Sequence, residues 1–139
     1  TVGSIDGLPT FKPSATAAHQ ARVRVSRGSY TLVATAITTS DLLNIAVLPA
    51  GSTFLYGLIT SGVTLGSSTV GIGITGSTVK YRAQATFTAV DTPTLFGKAA
   101  NMAVQTPLAG DERIIGTIGG ATMPATGESL AIHMFYSNG

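Results

Sequence analysis

There is no cysteine in this sequence and no tryptophan. Without cysteine there is no disulfide framework, no thiolate metal site and no thiol nucleophile, so stability has to come from packing and assembly. Charge is scarce as well: Asp, Glu, Lys and Arg make up 10% of the 139 residues, against about 25% in an ordinary soluble domain. Thr, Ser, Gly and Asn must therefore cover most of the surface. A neutral, hydroxyl-rich exterior loses less on leaving water than a charged one, which favours burial against other subunits. The same composition is equally that of a Thr-rich β-protein, because Thr has high strand propensity.

Long apolar runs are also missing. No stretch approaches the roughly 18 consecutive apolar residues of a membrane helix, and Thr1-Val2-Gly3-Ser4 has neither the basic start nor the apolar run of a signal peptide. The expectation is a soluble chain made in the cytoplasm, its initiator Met removed ahead of the small Thr1, with no membrane partner. The net charge of +2 is a small surplus in a nearly uncharged chain. No clustered Lys/Arg footprint with stacking aromatics is present, so no nucleic-acid partner is expected. The one local excess is Lys12, Arg22, Arg24 and Arg27, opposed in the first thirty residues by Asp6 alone. These four are the candidate partner-binding residues, suited to acidic groups on another protein; a solvated strand face accounts for the arginines equally well.

What the chain does have is aliphatic: 44% of its residues are hydrophobic, with Ala, Val, Leu and Ile dominating over aromatics at 6%. From Thr1 to about Ala21 the sequence is polar and turn-rich and has no sustained period, so it reads as an extended N-terminal arm over residues 1–21, ordered by a neighbour through Val2, Ile5, Leu8 and Phe11. Residues 22–139 read as a single domain. Ala21-Arg22-Val23-Arg24-Val25-Ser26-Arg27 alternates with period two, placing Arg22 and Arg24 on one face of a strand and Val23 and Val25 on the other. Further runs follow at Tyr30 to Thr39, Asp41 to Leu48, Thr53 to Thr60, Ser67 to Thr75, Thr78 to Arg82, Gln84 to Val90, Glu112 to Ile118 and Ser129 to Tyr136, separated by Gly, Ser and Pro punctuation. Only Leu95 to Gln105 has room for a helical turn. About eight to ten short strands at this spacing predict an all-β antiparallel β-sandwich, with jelly-roll connectivity the leading topology. Gly71-Ile72-Gly73-Ile74 marks a close backbone approach or a bulge, and the last strand is apolar enough to lie in the interior.

Candidate chemistry fails at each step, and no catalytic residue, cofactor or metal is expected. The Gly66 to Gly76 tract lacks the lysine and following helix of a phosphate-binding loop. His19 and His133 have no neighbouring ligand at metal spacing. No Gly-x-Ser-x-Gly elbow presents a nucleophile. The six acids, Asp6, Asp41, Asp91, Asp111, Glu112 and Glu128, fall mostly at turns, where Asp caps backbone N–H groups. Asp111 and Glu112 are adjacent and would point to opposite faces of a strand. The chain is therefore expected not to be an enzyme.

Two segments carry a resemblance: Asp41-Leu42-Leu43-Asn44-Ile45-Ala46-Val47-Leu48-Pro49-Ala50-Gly51-Ser52, and Lys80-Tyr81-Arg82-Ala83-Gln84-Ala85-Thr86-Phe87-Thr88-Ala89-Val90-Asp91-Thr92-Pro93-Thr94-Leu95-Phe96-Gly97. The chain resembles the small head proteins of tailed bacteriophages, in particular the jelly-roll cement (decoration) proteins such as that of a Bordetella phage head. The resemblance spans about Tyr30 to Tyr136. It rests on turns and core strands, so it carries over no functional residue. It implies a virion protein on the outer surface of an icosahedral capsid that bridges neighbouring major capsid subunits against internal DNA pressure, without covalent cross-links or a cofactor. It also implies a homo-oligomer; a dimer is favoured over a trimer because a sandwich edge paired with itself makes an isologous interface. The alternative from another class is a carbohydrate- or receptor-binding sandwich module of a phage fibre. Its sugar platform would have to come from Tyr30, Tyr56, Tyr81 or Tyr136.

Overall fold

The computed structural model describes residues 22–33, 37–39, 41–103 and 107–138. The expected arm, residues 1–21 with Lys12 and His19, lies outside the described residues. Eight strands follow in order: β1 (Arg22–Thr31), β2 (Leu42–Leu48), β3 (Ser52–Ser61), β4 (Thr69–Ile74), β5 (Ser77–Thr86), β6 (Thr94–Phe96), β7 (Glu112–Gly119) and β8 (Ser129–Asn138), with one short helix, α1 (Ala99–Ala103), between β6 and β7. They form two antiparallel four-stranded sheets with strand orders β1-β8-β3-β6 and β2-β7-β4-β5. The pairs β1 with β8, β2 with β7, β3 with β6 and β4 with β5 are all hydrogen-bonded neighbours. That nesting is a long antiparallel ribbon, first strand against last, rolled so that its halves face each other: a jelly roll.

Each strand earns its place by alternation. Leu43, Ile45 and Leu48 of β2, Phe54 and Ile59 of β3, Val70 and Ile72 of β4, Ile114 and Ile118 of β7, and Leu130, Ile132 and Met134 of β8 are buried in one core between the sheets. Burying such a side chain stabilises the fold by roughly 1.5–3 kcal/mol. Phe54 and Tyr81 close one part of that core, their ring centroids 4.5 Å apart and tilted by 53°.

The structure redraws two boundaries. The expected break at Gly28-Ser29 does not exist: β1 runs unbroken from Arg22 to Thr31, in continuous register with β8 through Gly28 opposite Ile132. Gly28 serves a different need, because a Cβ there would stand 2.7 Å from the backbone oxygen of Ile45. The two sheets touch at that point, main chain to main chain. Likewise the expected pair of strands at Thr78 to Arg82 and Gln84 to Val90 is one strand, β5, which ends at Thr86. Phe87 leaves the sheet to plug the core, and its carbonyl accepts from the Leu65 N–H at 3.0 Å.

The Gly-Ile-Gly-Ile segment is both things expected of it. The β4–β5 ladder shifts register between Val70 and Ile72 and again between Ile72 and Ile74. A Cβ on Gly73 would lie 2.1 Å from the Ser77 carbonyl oxygen and 2.6 Å from the Thr78 carbonyl carbon, so the returning hairpin folds directly over it. The Arg82 guanidinium sits in the first shift, donating to the carbonyls of Val70, Ala85 (3.1 Å) and Thr86 (3.2 Å). Burial pulls its pKa down from the usual arginine value. Gln84 completes the repair, its amide donating to Thr69 O (3.0 Å) and Thr117 O (2.9 Å) across the side-chain-free surface of Gly71.

Candidate assembly interface

Alternation also decides what faces outward. In β8, Leu130, Ile132 and Met134 point into the core, so Ala131, His133 and Phe135 point away from it. Register then lays out the outer face of this sheet in rows: Val25, Phe135 and Tyr56 in one, and Arg27, His133, Leu58 and Leu95 in the next. The face is apolar for a solvent-facing surface. Val23, Val25 and Leu95 are 62%, 49% and 66% exposed, and Tyr56 stacks on Phe135 with ring centroids 4.6 Å apart. β8 therefore reads as continuously apolar because both of its faces are apolar, although only one of them lines the interior.

His133 lies on this outer face and not in the inter-sheet core where its strand alone would put it. Its ring is 6.4 Å from that of Phe135, and its Nδ1 is buried without a hydrogen-bond partner. Among the described residues no group of three or more His, Asp or Glu side chains gathers at metal-binding distance.

The arginines expected to form one face are divided by the structure. Arg22 and Arg24 lie opposite Asn138 and Tyr136, on the side of β1 that continues from Tyr30 and Gly28 toward the other sheet. Arg27 lies opposite His133, on the outer apolar face with Val25. The reason is parity: Arg27 is five positions from Arg22, an odd number, and the β1–β8 register has no bulge to restore the phase. All three arginines are exposed.

One concave feature is a depression of about 440 Å³ bordered by Lys80, Tyr81, Asn101, Leu108 and Glu112. Chemically it is satisfied. Glu112 accepts from Lys80 through one carboxylate oxygen and from Tyr81 through the other, while Asn101 donates to the Lys80 carbonyl. Burial, reinforced by the hydrogen bond to Glu112 and its charge, holds the Tyr81 phenol protonated well above the ordinary tyrosine range. Both oxygens of the carboxylate are engaged, which leaves no free base or acid facing the depression. Asp111 points elsewhere and caps a turn, accepting from the Ala50 N–H at 2.7 Å. Asp41 does the same for Thr38 at 2.7 Å. The sequence signal for the apolar outer face was the absence of polar alternation in Leu130 to Tyr136; the Arg82 and Gln84 clasps had no signal, because Arg82 reaches Val70 O on β4 as well as Ala85 O and Thr86 O of its own strand, and Gln84 reaches Thr69 O and Thr117 O on β4 and β7.

An eight-stranded jelly roll distinguished by its outer faces and not by a chemical pocket is the class that fold and surface define. No protein-family model matches the chain, and no curated protein matches its sequence. Solved structures with the same fold include a chain of the cyanophage Pam1 capsid asymmetric unit, 18% identical, covering 86% of both chains with a TM-score of 0.67. A chain of the capsid of Ralstonia phage GP4 is also 18% identical, with 85% of both chains covered and a TM-score of 0.66. The acid-stable capsid of Helicobacter pylori bacteriophage KHP30 holds another, 10% identical, covering 83% of this chain and 86% of that one with a TM-score of 0.59. At such identities the likeness is one of fold.

Proposed function

We propose that this chain is a structural protein of a phage head, of the cement or decoration kind, which binds the outside of the shell and holds neighbouring major capsid subunits together without covalent bonds. The observation that carries the reading is the match of the whole jelly roll, over more than four-fifths of its length, to chains of three phage capsid structures. The surface supports it: scarce charge, an apolar outer sheet face and no unengaged set of catalytic groups among the described residues. On a shell, many copies make each weak contact effectively intramolecular, so interfaces of low charge still give firm retention. Lys12, Arg22, Arg24 and Arg27 supply the ionic part of that contact, and residues 1–21 lie along a neighbouring subunit.

The homo-oligomer is a dimer built on an edge strand. β2 is the edge that suits it: Leu42–Leu48 carries no charged residue, and Leu42 and Val47 are 58% and 50% exposed. The fibre-module alternative finds little support in the tyrosines. Tyr81 is buried, Tyr30 donates to the Asn44 carbonyl, and Tyr56 has its ring stacked on Phe135, so none of these presents an open platform to a sugar.

The test is a pull-down of the tagged chain from infected cells, with purified heads as the second bait. Near-stoichiometric recovery of a major capsid protein, weakened by deletion of residues 1–19 and by raising salt from about 0.05 to 0.5 M, is the expected result. Heads that leave the chain unbound, or selective capture on a glycan array, would remove the cement reading.

A further inference from the structure

We propose that the first half of β1, Arg22–Ser26, is an open sheet edge that accepts an extended segment of a different protein, one that alternates acidic with apolar residues. The inference deepens the assembly role and rests on it for its biological setting; its physical basis is independent.

Among the described residues, β1 stands first in the order β1-β8-β3-β6 and has a strand on one side only. In an antiparallel pair every second residue turns its N–H and C=O away from the partner, so this edge carries a row of backbone groups with no strand to meet them. The second half of β1 is closed over by the opposite sheet, where Gly28 presses on the Ile45 backbone and Tyr30 donates to Asn44 O. The first half is not: Arg22, Val23, Arg24 and Val25 are exposed, although they alternate between the two faces of the sheet.

The side chains say what fits there. Arg22 and Arg24 share one face, and their partners across the sheet, Asn138 and Tyr136, bring no negative charge. Among the described residues the sole ion pair is Lys80 with Glu112. Val23 and Val25 share the other face and extend the apolar row that continues into Phe135 and Tyr56. An added strand therefore sets acidic residues beside the arginines and apolar ones beside the valines, gaining main-chain hydrogen bonds between.

A second copy of this chain does not meet that description. Pairing two β1 edges would bring Arg22 and Arg24 against their own kind, and like charges directly opposite destabilise a sheet. Nor does the chain contain the complementary segment, since no two of its six acids are spaced by two residues. The arginines thus act twice, excluding self-association at this edge and selecting an acidic partner.

The experiment uses the full chain and a fluorescein-labelled, end-capped octapeptide of alternating Glu and Val, followed by fluorescence anisotropy. Two further peptides carry N-methyl groups on every second amide, one in each frame, and a fourth has the same composition in blocks. Only one frame of amides faces β1 in a strand pair, so one methylated peptide should bind at least about 10-fold more weakly while the other stays within about 2-fold. The block peptide should lose as much. The variant Arg22→Glu/Arg24→Glu, whose two positions are exposed and outside the core, should instead prefer an alternating Lys–Val peptide. Equal binding of both methylated frames, or no preference for alternation over blocks, would overturn the edge. Because no shell is present, failure here with retention on heads intact removes only this proposal; binding here with no retention on heads removes only the capsid reading.

Discussion

Arg82 is the sharpest place to test how this fold is held together. A register shift in the β4–β5 ladder between Val70 and Ile72 interrupts the strand pairing beside Arg82, and its guanidinium reaches the carbonyls of Val70, Ala85 and Thr86. A hydrogen bond from a charged donor contributes about 1.5–3 kcal/mol net when buried. Arg82 is only half-buried and two of its three acceptors are near water, so the sum discounts to roughly 2–3 kcal/mol for Arg82→Ala. With an unfolding entropy of about 0.29 kcal/mol/K for a chain of this length, that is a fall in Tm of about 7–10 °C. Lysine is still charged but is a point donor without the planar fork, so Arg82→Lys should recover less than half of the loss. Urea unfolding followed by circular dichroism gives the free energies, and Arg113→Ala on the exposed face of β7 serves as control, expected within about 0.5 kcal/mol. If Arg82→Ala matched that control, or if lysine restored full stability, the clasp would be an ornament of the bulge and the reasoning would fail.

Two further outcomes are expected. Gly73→Ala should destabilise by at least about 2 kcal/mol, since the new methyl meets backbone atoms of Ser77, Thr78 and Lys80 that have no rotamer to change; differential scanning calorimetry checks it, and an unchanged Tm would show that the hairpin yields. Stability should also fall on the alkaline side. Tyr81 has its folded pKa raised, mainly by burial and then by Glu112, so its contribution is full below about pH 10, where the unfolded phenol keeps its proton, and is lost as pH rises above that. The slope reaches at most about 1.4 kcal/mol per pH unit for one group, and Tyr81→Phe should flatten denaturation midpoints measured between pH 9 and 11; Tyr30, raised by burial as well, keeps its own dependence in that variant.

Local pattern made the strands legible. Apolar patterning with Gly and Pro punctuation located β2, β3, β4, β7 and β8 nearly to the residue: strands with one buried face alternate whatever they pair with, and β8, apolar on both faces, reads as a bounded apolar run. The same logic misread Gly28 as a break and divided β5 at Ala83: Gly28 is small because the Ile45 backbone presses on it, and Ala83 lies in the register shift between the Ile72–Arg82 and Val70–Ala85 pairs, which the strand runs straight through. The same alternation already sets Arg27, five positions from Arg22, on the valine side, so grouping the three arginines as one face was an error of parity that the register makes plain.

By itself the sequence determined the class of the molecule: an all-β, cysteine-free, weakly charged chain whose hydroxyl-rich strands bury aliphatic side chains. Those properties are sums over local residues and need no knowledge of neighbours. Tertiary structure alone decided that Arg22 begins opposite Asn138, that an apolar row runs from Val25 through Phe135 to Tyr56, and that among the described residues β1 has no strand beyond it at Arg22–Ser26. Each of these is a relation between segments separated by tens to more than a hundred residues, fixed by which strands share hydrogen bonds, and alternation along one segment is blind to what lies beside it.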